Sequence, residues 1–203
     1  PGGRFREAYY WDSYWVVLGL LEVGMWQTAE GVASNLLDAV DEHGFVPNGL
    51  RSYYLNRSQP PLLTQMVAAL LGALAGRGGA AMSSSADGDG EGCESSSSSS
   101  AAAAASLLQR ALPLLDREYA WWMRNGTNGS SASAVPLPGG HAVLNRYVVA
   151  ASGPRPESWR EDAATAAGLD EDAATRVFSE LAAAAESGWD FSSRWLNSTW
   201  QLE

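Results

Sequence analysis

The sequence predicts an all-α protein built of antiparallel helix pairs, and three observations predict it. Apolar residues recur at three- and four-residue steps along most of the chain. The segments patterned in this way are joined by short links rich in glycine, proline and asparagine, which return each helix against its predecessor. The polar and aromatic motifs fall in those links, so the helices read as scaffold and the loops as the functional surface.

The first helix follows an aromatic stretch that begins at Arg4: Trp11, Tyr14, Trp15, Leu18 and Met25 share a predicted face over about four turns. A second runs from Thr28 as N-cap through Val32, Leu36 and Val40 and stops at Gly44. Phe45 to Gln59 breaks the periodicity, with Pro47-Asn48-Gly49 as a turn, and Pro60-Pro61 opens a third helix through Leu62, Met66, Leu70 and Leu74. Between Gly76 and Ser100 the composition collapses to Gly, Ser, Asp and Glu, with six consecutive serines. Such a stretch cannot bury enough apolar surface to order itself, and residues 76–103 are expected to be a disordered insertion in one domain spanning 1–203. Helical spacing resumes near Ala101 and continues through Leu108, Leu112, Leu115, Tyr119 and Trp122, with Pro113 as a kink or fresh start. Asn125 to Ala134 reads as a polar loop, Ala142 to Val148 as a short strand, and Pro154 to Ser158 as stiff and extended. Two helices close the pattern, near Ser158 to Ala167 and from Asp170 to Ala185.

Composition bounds the function. The 203 residues are 46% hydrophobic and 18% charged, enough for a real core, while a net charge of -10 disfavours nucleic acid and anionic membrane surfaces as partners. The apolar run from Trp15 to Trp26 is too short for a bilayer and contains Glu22, so no membrane segment is expected. A single Cys93 and two histidines, His43 and His141, give no disulfide framework and no metal cluster. No cofactor is expected. All 13 basic residues are arginine, which by itself carries no function. Sequons at Asn56, Asn125, Asn128 and Asn197 lean toward secretion without fixing a compartment. The chain starts at Pro1 without a methionine and is read as a fragment.

The stretch Glu186 to Trp195 sets Asp190 between Trp189 and Phe191 directly after Gly188. A carboxyl packed among aromatics is desolvated, which raises its pKa toward the range of a general acid. The same residues also read as a Gly-X-Asp turn that caps the next helix.

Four islands in order resemble the α,α-trehalases, inverting glycosidases: PGGRFREAYYWDSYW at Pro1 to Trp15, GFVPNGLRSYYLNRSQPP at Gly44 to Pro61, GPRPES at Gly153 to Ser158 and ESGWDFSSRW at Glu186 to Trp195. The resemblance implies a partial (α/α)6 barrel and trehalose as the substrate. It implies a sugar site lined by Arg4, Trp11, Asp12, Asn48, Arg57, Ser58, Gln59, Arg155, Pro156 and Glu157, with Gly188 offering backbone and Asp190 as the general acid. The chemistry fits a neutral polyol, because planar guanidinium donors and carboxylate acceptors match its hydroxyls and tryptophan faces cover the sugar rings. Each arginine alone reads equally as a structural ion pair, and Trp11 as helix core.

An inverting site needs a second carboxyl about 6.5–9.5 Å from the acid to activate water. In the resemblance that base is a glutamate beyond Glu203, so the catalytic domain is expected to be incomplete, poorly soluble and inactive on its own. Without the base, Arg4, Arg57 and Arg155 are expected to favour ionised Asp190. The alternatives are a sugar-binding or regulatory remnant that has lost turnover, and a related barrel glycosidase for another disaccharide.

Overall fold

The computed structural model describes residues 3, 5–83, 94–124, 133–140 and 142–190. They form six α-helices and one two-stranded sheet: α1 Asp12–Glu22, α2 Trp26–His43, α3 Leu63–Ser83, α4 Glu94–Trp122, β1 Ala134–Pro136, β2 Val143–Asn145, α5 Trp159–Thr165 and α6 Glu171–Ser187. Single 3-10 turns lie at Ser52–Tyr54 and Pro156–Ser158.

Consecutive helices pair, α1 with α2, α3 with α4 and α5 with α6, and the first two pairs also pack together. Their shared core follows from spacing. On α2, Ala29, Ala33, Leu36, Leu37 and Val40 form one buried stripe, and it meets Val17 of α1, Leu63, Met66, Val67 and Leu70 of α3, and Leu107, Ala111 and Leu114 of α4. A smaller cluster joins Val149 to Ala182 and Ala183 of α6. Asp170 caps α6 by accepting the Ala173 N–H at 2.8 Å.

Several elements differ from their sequence expectations. The first helix is shorter than expected, and its buried residues are Ser13 and Val17, with Tyr14, Leu20 and Leu21 against the core. Trp15 and Met25, assigned to the inward face, are half exposed at 53% and 50%. A run of apolar residues offers more than one stripe at helical spacing, and packing selected the one continuous with Tyr10. The second helix starts at Trp26 rather than beyond Thr28. The fourth starts at Glu94 instead of near Ala101, running back from the alanines at 101–105 through the six serines, whose own helix propensity does not account for it. Pro113 lies inside it without ending it. The expected insertion is thus entered by α3 from one side and α4 from the other, and residues 84–93 lie outside the described ones. The expected strand is β2, and its antiparallel partner β1 begins where a polar loop was expected, with Val135 opposite Leu144.

Candidate active site

The site is built on four loops that the helix pairs bring together. Ahead of α1, residues 8–10 run antiparallel to 48–50: the Tyr10 N–H donates to the Asn48 carbonyl at 3.1 Å and the Leu50 N–H to that of Ala8 at 3.1 Å. Close approach requires glycine at position 49, where a Cβ would come within 2.7 Å of the Tyr54 ring. The turn Asn48-Gly49 thereby seats Tyr54, whose hydroxyl lies 3.0 Å from that of Tyr9. Burial, then the Tyr9 contact, pushes the Tyr54 phenol well above its ordinary pKa.

Asn48, Arg57, Ser58 and Gln59 are all buried. Asn48 Nδ2 donates to the carbonyls of Ser58 at 3.2 Å and Ala185 at 3.4 Å, tying the second loop to the end of α6. The Ser58 hydroxyl donates to the Val46 carbonyl at 2.6 Å, and Gln59 Oε1 accepts the Trp11 N–H at 3.2 Å. These are mainly loop-to-loop fastenings. Arg57 differs, because its guanidinium has an ionic partner: Nη2 donates to Glu157 Oε1, Nη1 to Asn56 Oδ1 at 3.3 Å, and its carbon lies 5.0 Å from the centre of the Tyr54 ring. Among the described residues its buried Nε has no partner.

In the third loop Arg155 is held by Asp162 of α5, which accepts its backbone N–H at 2.9 Å, Nε at 2.8 Å and Nη2 at 2.7 Å. Desolvation lowers the pKa of Arg155, but Asp162, reinforced by Glu157 and Asp190, carries it above its ordinary value. Pro156 starts the 3-10 turn that aims Glu157 back at Arg57. Both arginines are therefore in ion pairs, which is the structural reading that the sequence offered for each.

The fourth loop leaves α6 at Gly188, whose φ of +69° closes the helix and whose Cβ position lies 2.7 Å from Cζ2 of Trp11. Only glycine fits there, so the Trp11 indole lies directly on the turn that delivers Asp190. Asp190 is exposed, yet surrounding protein desolvates its carboxyl and pushes its pKa above the ordinary value. Arg155, its own backbone N–H and Arg57 pull it down, and Glu157 pushes it up. The pull expected from Arg57 and Arg155 is present, but it does not outweigh desolvation. The expected flanking niche is different as well: Trp189 is 54% exposed, and Phe191 lies outside the described residues.

Asp12 is exposed in the first turn of α1. Arg4 lies outside the described residues. An open cleft of about 590 Å³ runs between Ser52, Tyr53, Leu55 and Asn56 on one side and residues 150–154 with Pro156 on the other, and of its lining only Pro156 was an expected site residue. Among the described residues no group of three His, Cys, Asp or Glu could hold a metal ion. No described helix is long and apolar enough to cross a membrane.

Two carboxylates central to this architecture were not expected as site residues. Glu186, 1% exposed, accepts the Ser58 N–H through Oε1 and the Val148 N–H through Oε2, each at 3.0 Å, and so clamps the second and third loops to α6. Burial raises its pKa against those two N–H groups, Arg124 and Arg57. An acidic residue in the last turn of a helix opposes the helix dipole, which is the signal that it has a partner. Asp162 gave no such signal, since an acid in a first turn reads as dipole complement.

Fold and site together define an all-α chain of paired helices, with guanidinium–carboxylate pairs gathered around an exposed acid. The trehalase family model matches residues 1–202, and the chain belongs to the trehalase family. It is 42% identical over 201 residues to a trehalase of Dictyostelium discoideum, covering 97% of this chain and 28% of that one. To a periplasmic trehalase of Escherichia coli it is 40% identical over 205 residues, covering 100% of this chain and 31% of that one. Among solved structures, neutral trehalase Nth1 from Saccharomyces cerevisiae superposes with a TM-score of 0.61 at 28% identity, over 96% of this chain and 34% of that one. The helical architecture fits the partial barrel that the motifs implied. The chain spans about three tenths of the length of these curated relatives.

Proposed function

We propose that the chain carries the general-acid side of a site that hydrolyses α,α-trehalose to two glucose molecules with inversion. Asp190 gives its proton to the glycosidic oxygen as the bond from that oxygen to the anomeric carbon breaks. Water attacks the same carbon from the opposite face and loses its proton to a second carboxylate. Arg57, Arg155 and Glu157, with Asn48, Gln59, Trp11, Asp12 and Arg4, hold the sugar hydroxyls and ring faces. Ser58, Pro156 and Gly188 shape the loops around them. The observation that carries this reading is the convergence of Arg57, Glu157 and Arg155 on Asp190, whose carboxyl is at once open to a ligand and held above its ordinary pKa. Neither Asp12 nor Glu157 is assigned as base, since Glu157 is already engaged by Arg57.

A second reading is a sugar-binding or regulatory remnant, in which the same guanidinium and carboxylate groups hold a sugar without turnover. One experiment separates them. NMR of the sugars first formed from trehalose by the complete gene product should show α- and β-glucose in equal amounts before mutarotation. Two equivalents of α-glucose would contradict inversion, and binding without glucose release would favour the remnant.

A further inference from the structure

We propose that Asp162 is a positioning residue for the acid step: by gripping Arg155 at three nitrogens it fixes that guanidinium and offsets the charge it exerts on Asp190. The inference rests on the assignment of Asp190 as general acid.

The geometry is specific. Asp162 is 1% exposed, and it spends its carboxylate on one residue, the backbone N–H, Nε and Nη2 of Arg155. A fork held along one edge cannot rotate, and Nη1 is left without a hydrogen-bond partner among the described residues. Arg155 is also the strongest charge acting on Asp190.

A general acid beside a bare arginine loses its proton too early, since a neighbouring cation favours the ionised form. Among the described residues the charges acting on Asp190 are Arg155, Arg57 and Glu157, and those acting on Arg155 are Asp162, Glu157 and Asp190. Glu157 is committed to Arg57. Asp162 is therefore the counter-charge dedicated to Arg155, and it lets Arg155 donate to a sugar hydroxyl while Asp190 stays protonated. The same clasp joins the third loop to α5, so positioning and charge are set by one contact.

The test compares wild type, Asp162→Asn and Asp162→Glu in the complete protein. Asparagine keeps the shape and removes the charge; glutamate keeps the charge and shifts the geometry. For Asp162→Asn the expected result is a fall in kcat of about 10- to 100-fold, with the basic limb of the kcat–pH profile moved to lower pH. Asp162→Glu should lower kcat while leaving that limb in place. Titration of the Asp190 carboxyl, read by carbon-13 NMR without turnover, should move in the same direction in Asp162→Asn. An unchanged Asp190 titration and an unchanged basic limb in Asp162→Asn would overturn the inference, even if its thermal stability fell. Should Asp162→Asn not fold, Asp162→Glu decides: a basic limb displaced despite the retained charge overturns it, and a limb left in place supports it. Absence of glucose release by wild type would instead sink the proposed function, with the NMR titration still reading the coupling of Asp162 to Asp190.

Discussion

At the scale of single residues, the site depends on contacts that leave no slack. Gly188 combines a left-handed backbone with an indole pressed on its Cα, so a methyl group there is penalised twice. Left-handed backbone alone costs about 1–2 kcal/mol and displacement of Trp11 adds an overpacking penalty of about 1–3 kcal/mol. Gly188→Ala is therefore expected to lower unfolding free energy in urea by about 2 kcal/mol or more and to reduce turnover, because Trp11 and Asp190 sit on either side of the turn. Loss below about 0.5 kcal/mol would show that the indole yields freely, since that is the range of a neutral surface change. The motifs singled out Asn48, Arg57 and Gln59 in one stretch, Arg155 and Glu157 in a second and Asp190 in a third, and the structure brings these loops together. What sequence could not give was their partners. Asp162 looked like an ordinary first-turn acid and Glu186 showed only an unfavourable place on the dipole, because the burial that makes them structural is created only when the loops close over them.

At the scale of elements, α4 is tied to the N-terminal motif by a buried polar contact. The Tyr10 hydroxyl donates to Glu118 and accepts the Leu63 N–H at 3.0 Å, joining α4, the approach to α1 and the start of α3. Burial raises the pKa of Glu118 from 4.5 to about 7, against the lowering effect of the Tyr10 hydrogen bond. Because the folded value lies above the unfolded one, the stability this group contributes is complete below about pH 4.5 and is lost as pH rises through about 7. The shift corresponds to about 3 kcal/mol across that window. Glu118→Gln mimics the protonated acid and keeps an acceptor for Tyr10, so its stability relative to wild type should improve steadily between pH 5 and pH 8. A relative stability that stays flat with pH would contradict the buried acid. Periodicity found every helix among the described residues, but it misplaced the starts of α2 and α4 and the inward face of α1. Apolar spacing was redundant in α1, as the outward Trp15 shows, and β1 is three residues whose pairing with β2 no local pattern announces.

At the scale of the whole molecule, the described chain leaves large apolar side chains in the open: Val23 at 69%, Tyr119 at 67%, Trp159 at 58% and Trp15 at 53%. Exposed groups of this size are the kind that a larger barrel would cover, and the chain spans only about three tenths of its relatives' length. The 203-residue chain purified alone is expected to bind a hydrophobic dye and to release no glucose from trehalose above background. Robust release by that chain would mean that both acid and base lie within it. The central claim is that Asp190 is the proton donor, and trehalose turnover and binding by Asp190→Asn in the complete protein test it most directly. The account predicts turnover reduced by about 10²- to 10⁴-fold with binding nearly unchanged. Turnover close to that of wild type would contradict it.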